Sequence, residues 1–144
     1  MDAAGIVEID LAALARNYRT LAKACAPGRC GAVVKADAYG LGARTVTETL
    51  AEAGCEHFFV ATLAEALALR AVAPSAEILV FDGLAGNEPD EFVAANVLPI
   101  LNSRADMRLW RNAGPAAVHI DTGMNRLGLS ADDIAQIKLE ADRA

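Results

Sequence analysis

Five compact apolar runs recur along the chain: "CGAVV" at 30–34, "HFFVA" at 57–61, "EILVF" at 77–81, "NVLPIL" at 96–101 and "AAVHI" at 116–120. Their midpoints, 32, 59, 79, 98 and 118, lie 27, 20, 19 and 20 residues apart. Runs this short and unbroken read as strands covered on both faces. An interval of this size leaves room for one helix between successive strands, the rhythm of βα units in a parallel sheet. Two closures fit: a doubly wound sheet complete within this length, or the first five units of an α/β parallel (β/α)8 TIM-type barrel, which needs about 250 residues. The count leaves both open. Against a doubly wound nucleotide binder stands the first βα turn, "KADAYGLG", which is no glycine-rich phosphate fingerprint.

The segments between the runs carry helix punctuation. Asp10 is placed to cap "LAALARNYRTLAKACA", in which Leu11, Leu14, Tyr18, Leu21 and Cys25 recur at three and four residues. A helix is expected over about 43–53 with Gly54 as its close, and Thr62 with Glu65 forms a capping-box pattern before the next. Asn102 reads as the cap of a helix running to about Asn112, stopped by Gly114 and Pro115, and Ser130 with Asp133 opens the last. Ahead of these, "GIVEID" at 5–10 alternates as a short strand, so residues 1–10 read as an N-terminal strand and lead-in and 11–144 as the α/β body.

Charge restricts the partners. Thirteen basic against nineteen acidic side chains give a net charge of −6, with no basic, aromatic-interleaved run to suit nucleic acid. No apolar stretch approaches the roughly 18 residues of a membrane span, so a cytoplasmic location without membrane attachment is expected. Cys25, Cys30 and Cys55 show no C-x-x-C spacing; they read as buried thiols, neither a disulfide framework nor a metal knuckle.

Chemistry gathers in two stretches. Ligands in parallel α/β folds sit at the carboxyl ends of the strands, and Lys35 follows "AVV" at such an end. Partial desolvation there favours the neutral amine and its attack on a carbonyl to give a Schiff base, although a lysine can also snorkel from a strand end to solvent. Tyr39 is either a packed ring or, with the amides of the following helix start, a phosphate ligand; Gly40 and Gly42 permit a tight turn. The second stretch is "VHIDTGMNRLG" at 118–128. Arg126 is its fixed positive charge, fit for a carboxylate or phenolate or for a surface ion pair. Asp121 is placed to order the loop through backbone amides, beside Thr122, Gly123 and Asn125. His119 lies within an apolar run as a core or inner-wall histidine, with no second ligand at metal spacing.

Together, "VVKADAYGLG", "HIDTGMNRLG" and the opening "VEIDLAALARNYRTL" resemble the N-terminal part of bacterial alanine racemase, a fold-type III pyridoxal-phosphate family. The resemblance covers essentially the whole chain. It implies an eight-stranded α/β barrel, of which five units lie here, followed in the family by a mostly β domain absent from this sequence. It implies pyridoxal 5'-phosphate as cofactor, alanine as substrate, D-alanine supply for peptidoglycan, and a homodimer for the complete enzyme. Lys35 corresponds to the lysine that holds the cofactor and moves the α-proton on one face, Tyr39 to the tyrosine near the phosphate, and Arg126 to the arginine at the cofactor's phenolic oxygen and the substrate carboxylate. His119, Asp121 and Asn125 are supporting candidates.

Two positions depart from that pattern. Leu41 replaces a frequent histidine. His119 stands where other members have a lysine, in some of them carbamylated, that steadies the arginine; its imidazole orients Arg126 only weakly, and repels it if protonated. The family's opposite-face base is a tyrosine of the C-terminal domain, supplied across the dimer, and neither Tyr18 nor Tyr39 occupies its motif. These 144 residues are therefore expected to be inactive alone. The alternatives are a small single-domain pyridoxal-phosphate homeostasis protein and a non-catalytic α/β fragment that associates through open sheet edges.

Overall fold

A computed structural model describes residues 5–141 of the chain. Five strands, β1 (Ala32–Val33), β2 (His57–Val60), β3 (Glu77–Val80), β4 (Leu98–Leu101) and β5 (Ala117–Val118), form one sheet. Every neighbouring pair is parallel and the spatial order is β1-β2-β3-β4-β5. A doubly wound sheet reverses its order at a switch point; this one advances one strand at a time, as the wall of a (β/α)8 barrel does. Of the two closures, the barrel type is the one adopted. The strands hold two to four residues each, shorter than the apolar runs that contain them, because inter-strand pairing ends where each chain turns towards its helix.

The helices are α1 (Leu11–Cys25), α2 (Lys35–Gly40), α3 (Ala43–Glu52), α4 (Leu63–Arg70), α5 (Pro89–Ala95), α6 (Arg104–Trp110) and α7 (Ala131–Ala141). Local chemistry starts several of them. Asp10 accepts from the Ala13 N–H to open α1. Thr62 and Glu65 form the reciprocal capping box of α4, and the Ser130 hydroxyl accepts from Asp133 N–H at the start of α7. The core lies between sheet and helices, where Phe58, Val60, Ile78 and Phe92 are fully enclosed. Burial of each such side chain stabilises by about 1.5–3 kcal/mol. Arg70, at the end of α4, donates to the carbonyls of Ala73, Ala76, Ala95 and Asn96, tying the β3 approach to the end of α5.

Four expectations change. Residues 5–10 form no strand: among the described residues they have no sheet neighbour, and Ile6 and Val7 are 95% and 85% exposed. Ser103 caps α6, accepting from Asp106 N–H, because Asn102 is turned inward and committed elsewhere. The inward stripe of α1 runs through Leu14, Ala15 and Tyr18, while Leu21 and Cys25 face outward. Of the three thiols only Cys55 is buried; Cys30 is half-buried and Cys25 exposed.

Candidate functional site

Lys35 leaves the carboxyl end of β1, and the chain then does something unusual. Ala36, Asp37, Ala38 and Tyr39 all adopt left-handed helical angles, with φ of 50°, 53°, 53° and 58°. For residues with a Cβ this conformation costs roughly 1–2 kcal/mol each, so α2 must be held by its surroundings. Ala38 is buried and its N–H donates to the Val34 carbonyl at 3.0 Å. The Ala36 N–H donates to Glu65 Oε1 at 2.8 Å, while Oε2 of the same carboxylate accepts from Ala61 and Thr62. Asp37 Oδ1 accepts from the Ala43 N–H at 2.6 Å and so fastens α2 to the start of α3. The left-handed turn brings the side chains of Lys35 and Tyr39 to one cavity.

The second segment is a loop closed at its base. Beyond β5 the His119 carbonyl accepts from Leu129 N–H at 2.7 Å and the Leu129 carbonyl from Asp121 N–H at 3.0 Å. Inside this closure Asp121 accepts three backbone N–H groups, from Gly123 (2.9 Å), Met124 (2.8 Å) and Asn125 (2.9 Å). These bonds, the one from Gly123 foremost, hold its carboxyl below the ordinary aspartate range. Asn125 is left-handed, with φ of 56°, and its side-chain amide donates to the Gly123 carbonyl. Gly128, at φ of 104°, lies against the His119 ring; a Cβ there would sit 3.0 Å from both the ring and Asp121 N.

The two segments meet in a cavity of about 340 Å³ at the carboxyl ends of the strands, lined by Lys35, Tyr39, Asp82, His119, Met124 and Arg126 among others. Phe81 forms part of its floor: its ring stacks on Phe59 at 5.5 Å and lies 5.9 Å from Lys35 Nζ, within cation–π range. Asp121 and Asn125 lie outside the lining and build the loop that carries Arg126. The start of α3 is also outside it, with the Ala43 N–H occupied by Asp37, so the expected phosphate position at that helix start is not part of this cavity. A larger space of about 560 Å³ opens at the opposite end, near Gly54, His57 and Glu77. It has no lysine in its lining, and ligands of parallel barrels bind at the carboxyl ends, so the smaller cavity is the candidate site.

Residues that the sequence did not assign to the site support it: Glu65 and Asp37 brace α2, and Asn102 contacts His119. Glu65 had a visible signal, its capping-box spacing, but that spacing does not disclose the second bond to Ala36. Tyr18 sits elsewhere. Its hydroxyl donates to the carbonyls of Cys30 (3.1 Å) and Gly54 (3.2 Å), and burial first of all pushes its pKa up to about 12. Among the described residues no cluster of three metal-ligating side chains occurs, and no helix is long and apolar enough to cross a membrane.

Comparison with known proteins identifies the family of the fold. The family described as alanine racemase, N-terminal domain, matches residues 9–144. The catabolic alanine racemase of Rhizobium johnstonii is 48% identical over 139 residues, covering 91% of this chain and 37% of that protein. The alanine racemase of Acidiphilium cryptum is 47% identical over 135 residues, covering 90% and 38%. Among solved structures, alanine racemase from Bartonella henselae with covalently bound pyridoxal phosphate superposes with a TM-score of 0.88 at 38% identity, over 92% of this chain and 41% of that one. The enzyme from Corynebacterium glutamicum gives 0.82 at 30% identity, over 90% and 39%. The chain thus spans less than half the length of the relatives it matches, and over nearly all of its own length it belongs to the alanine racemase N-terminal domain family.

Proposed function

We propose that the chain forms the cofactor-binding wall of a cytoplasmic, pyridoxal-phosphate-dependent alanine racemase, interconverting L- and D-alanine as the N-terminal part of a longer, homodimeric enzyme that supplies D-alanine for peptidoglycan. In this reading residues 1–10 lead into the barrel, 11–144 form its first five units, and a β domain completes the enzyme. The observation that carries the reading is the convergence of Lys35, Tyr39 and Arg126, from opposite ends of the sheet, on one cavity. An amine, a phenol and a guanidinium suit an anionic aldehyde, and the volume is within the range of small-ligand sites. Pyridoxal phosphate, when bound, supplies an electron-withdrawing ring that makes the α-hydrogen of an amino acid labile.

The side chains divide the work. Lys35, at the strand end beside the braced α2 turn, would hold the cofactor through its Nζ and, once the substrate's own amine has taken its place there, the freed amine would take or return the proton at the substrate Cα on one face. The Tyr39 hydroxyl binds towards the phosphate. Arg126, with two parallel donors, orients the substrate carboxylate and the phenolic oxygen. Asp121 and Asn125 shape the loop that carries Arg126, and His119 lines the cavity beside it. Racemisation needs a proton carrier on each face. Tyr18 is unsuited to the second role, its hydroxyl being committed to two carbonyls outside the cavity, and the family resemblance assigns it to a tyrosine of the partner subunit's β domain.

The test is D-alanine formation from L-alanine, followed by chiral chromatography with deuterium uptake at Cα in heavy water, against a control of cofactor without protein. The complete enzyme is expected to exceed the control by orders of magnitude and to lose that excess in Lys35→Ala, whereas residues 1–144 alone stay at the control rate. A complete enzyme that does not exceed the control would refute the proposal.

A further inference from the structure

The hydrogen bonds around Asn102 have a fixed direction. Its amide nitrogen donates to the carbonyls of Phe81 (2.7 Å) and Ile100 (3.0 Å). Carbonyls only accept, so turning the amide over would set its own oxygen against both. Asn102 Oδ1 is therefore the atom that lies 2.9 Å from His119 Nδ1, and it requires a hydrogen on that nitrogen. The residue has little freedom to do otherwise. It is 9% exposed, its backbone N–H donates to Asp106 Oδ2, and Gly83 packs so near that a Cβ there would lie 3.3 Å from the amide nitrogen. Gly128 closes on the imidazole from the loop side.

We propose that Asn102 is a positioning residue that locks His119 as the Nδ1–H tautomer, leaving Nε2 as a hydrogen-bond acceptor for the Arg126 guanidinium once an anionic ligand draws Arg126 across the cavity. In neutral imidazole one nitrogen donates and the other accepts. Nδ1 is the donor, and Nε2 has no hydrogen-bond partner among the described residues. The carboxylate of Asp121 is already shared among three N–H groups of its own loop. Asp82 also lines the cavity, but pairing with it would offset the positive charge that attracts an anionic ligand. A neutral acceptor orients the guanidinium and leaves its charge available. The tautomer rests on hydrogen-bond geometry alone; its service to Arg126 rests on the function proposed above.

Long-range proton–nitrogen correlation NMR on the labelled protein without cofactor reads the tautomer directly. The chain has two histidines, and His119→Gln identifies which signals belong to His119. The expected result is Nδ1–H for His119, relaxing towards a mixture rich in Nε2–H in Asn102→Ala. An Nε2–H form in the unaltered protein overturns the proposal, as does a tautomer indifferent to Asn102→Ala. The second arm is pyridoxal phosphate titration of the complete enzyme. His119→Leu is expected to weaken binding about five- to tenfold. His119→Gln, whose amide can donate to Asn102 and accept from Arg126, restores it, and in an Arg126→Leu background the His119→Leu effect vanishes. An undiminished His119→Leu effect in that background overturns the positioning role. Failure of the unaltered enzyme to bind pyridoxal phosphate sinks the proposed function and the service to Arg126 together, whereas an Nε2–H tautomer sinks this inference alone.

Discussion

The two segments that meet at the cavity are held in opposite ways. The turn after Lys35 is bent against the preference of its own residues and held partly from afar: the Glu65 carboxylate reaches it from 29 residues along the chain, while the Val34 carbonyl and the Asp37 bond to the start of α3 act locally. The loop carrying Arg126 is largely self-made. One aspartate gathers three backbone N–H groups within four residues, and a single pairing of His119 and Asp121 with Leu129 closes the base. For the role proposed for Lys35, the strand end that carries it must be fixed, and the bracing of the adjoining turn supplies that. The role proposed for Arg126 needs reach, and an exposed, locally ordered loop provides that.

Removing the brace should have the largest effect on stability. Glu65→Ala frees the N–H groups of Ala36, Ala61 and Thr62, and denaturant unfolding is expected to show a loss of about 3 kcal/mol, the range for hydrogen bonds to a charged group. Under the same assay Asp121→Ala, whose bonds are all local and exposed, should cost about 1 kcal/mol or less. Equal losses would abolish the distinction between the segments.

Gly128→Ala attacks a place where the Arg126 loop is tightly packed. The left-handed φ and the 3.0 Å approach to His119 and Asp121 predict a cost of about 2 kcal/mol. In the complete enzyme Arg126→Lys keeps the charge and loses the planar fork, so kcat/KM should fall at least about tenfold, or 1.4 kcal/mol, with stability unchanged.

These contrasts also explain what could be read in the sequence. The parallel βα order and the Asp121 loop were legible, because strand spacing and side-chain-to-backbone capping are local or periodic signals. The left-handed turn at 36–39 was not: "ADAY" has neither glycine nor asparagine, and what holds it comes from Glu65, far along the chain. Asn102 was misread as a helix cap for the same reason, since its partners Phe81 and His119 belong to neighbouring strand ends. The apolar alternation at 5–10 signalled a strand, but among the described residues no strand lies beside it to pair with.

Acid sharpens the comparison further. The folded-state pKa of Asp121 is lowered, so its contribution to the loop is fully present above the unfolded value of about 3.9 and is lost as pH falls through the folded one. Amide signals of Gly123, Met124 and Asn125 should shift together in that window. The smallest expected effect is the most diagnostic of strain. Ala36→Gly places the permissive residue at an exposed left-handed position and should stabilise by about 0.5–1 kcal/mol, although glycine usually weakens a fold.

The central claim is that this bracing makes Lys35 the cofactor-linking amine. Borohydride reduction of the protein with pyridoxal phosphate, followed by digestion and peptide mass mapping, tests it most directly, since Lys23 and Lys138 compete within the same chain. The account predicts one stoichiometric adduct, on the peptide containing Lys35; an adduct mainly on Lys23 or Lys138 would contradict it.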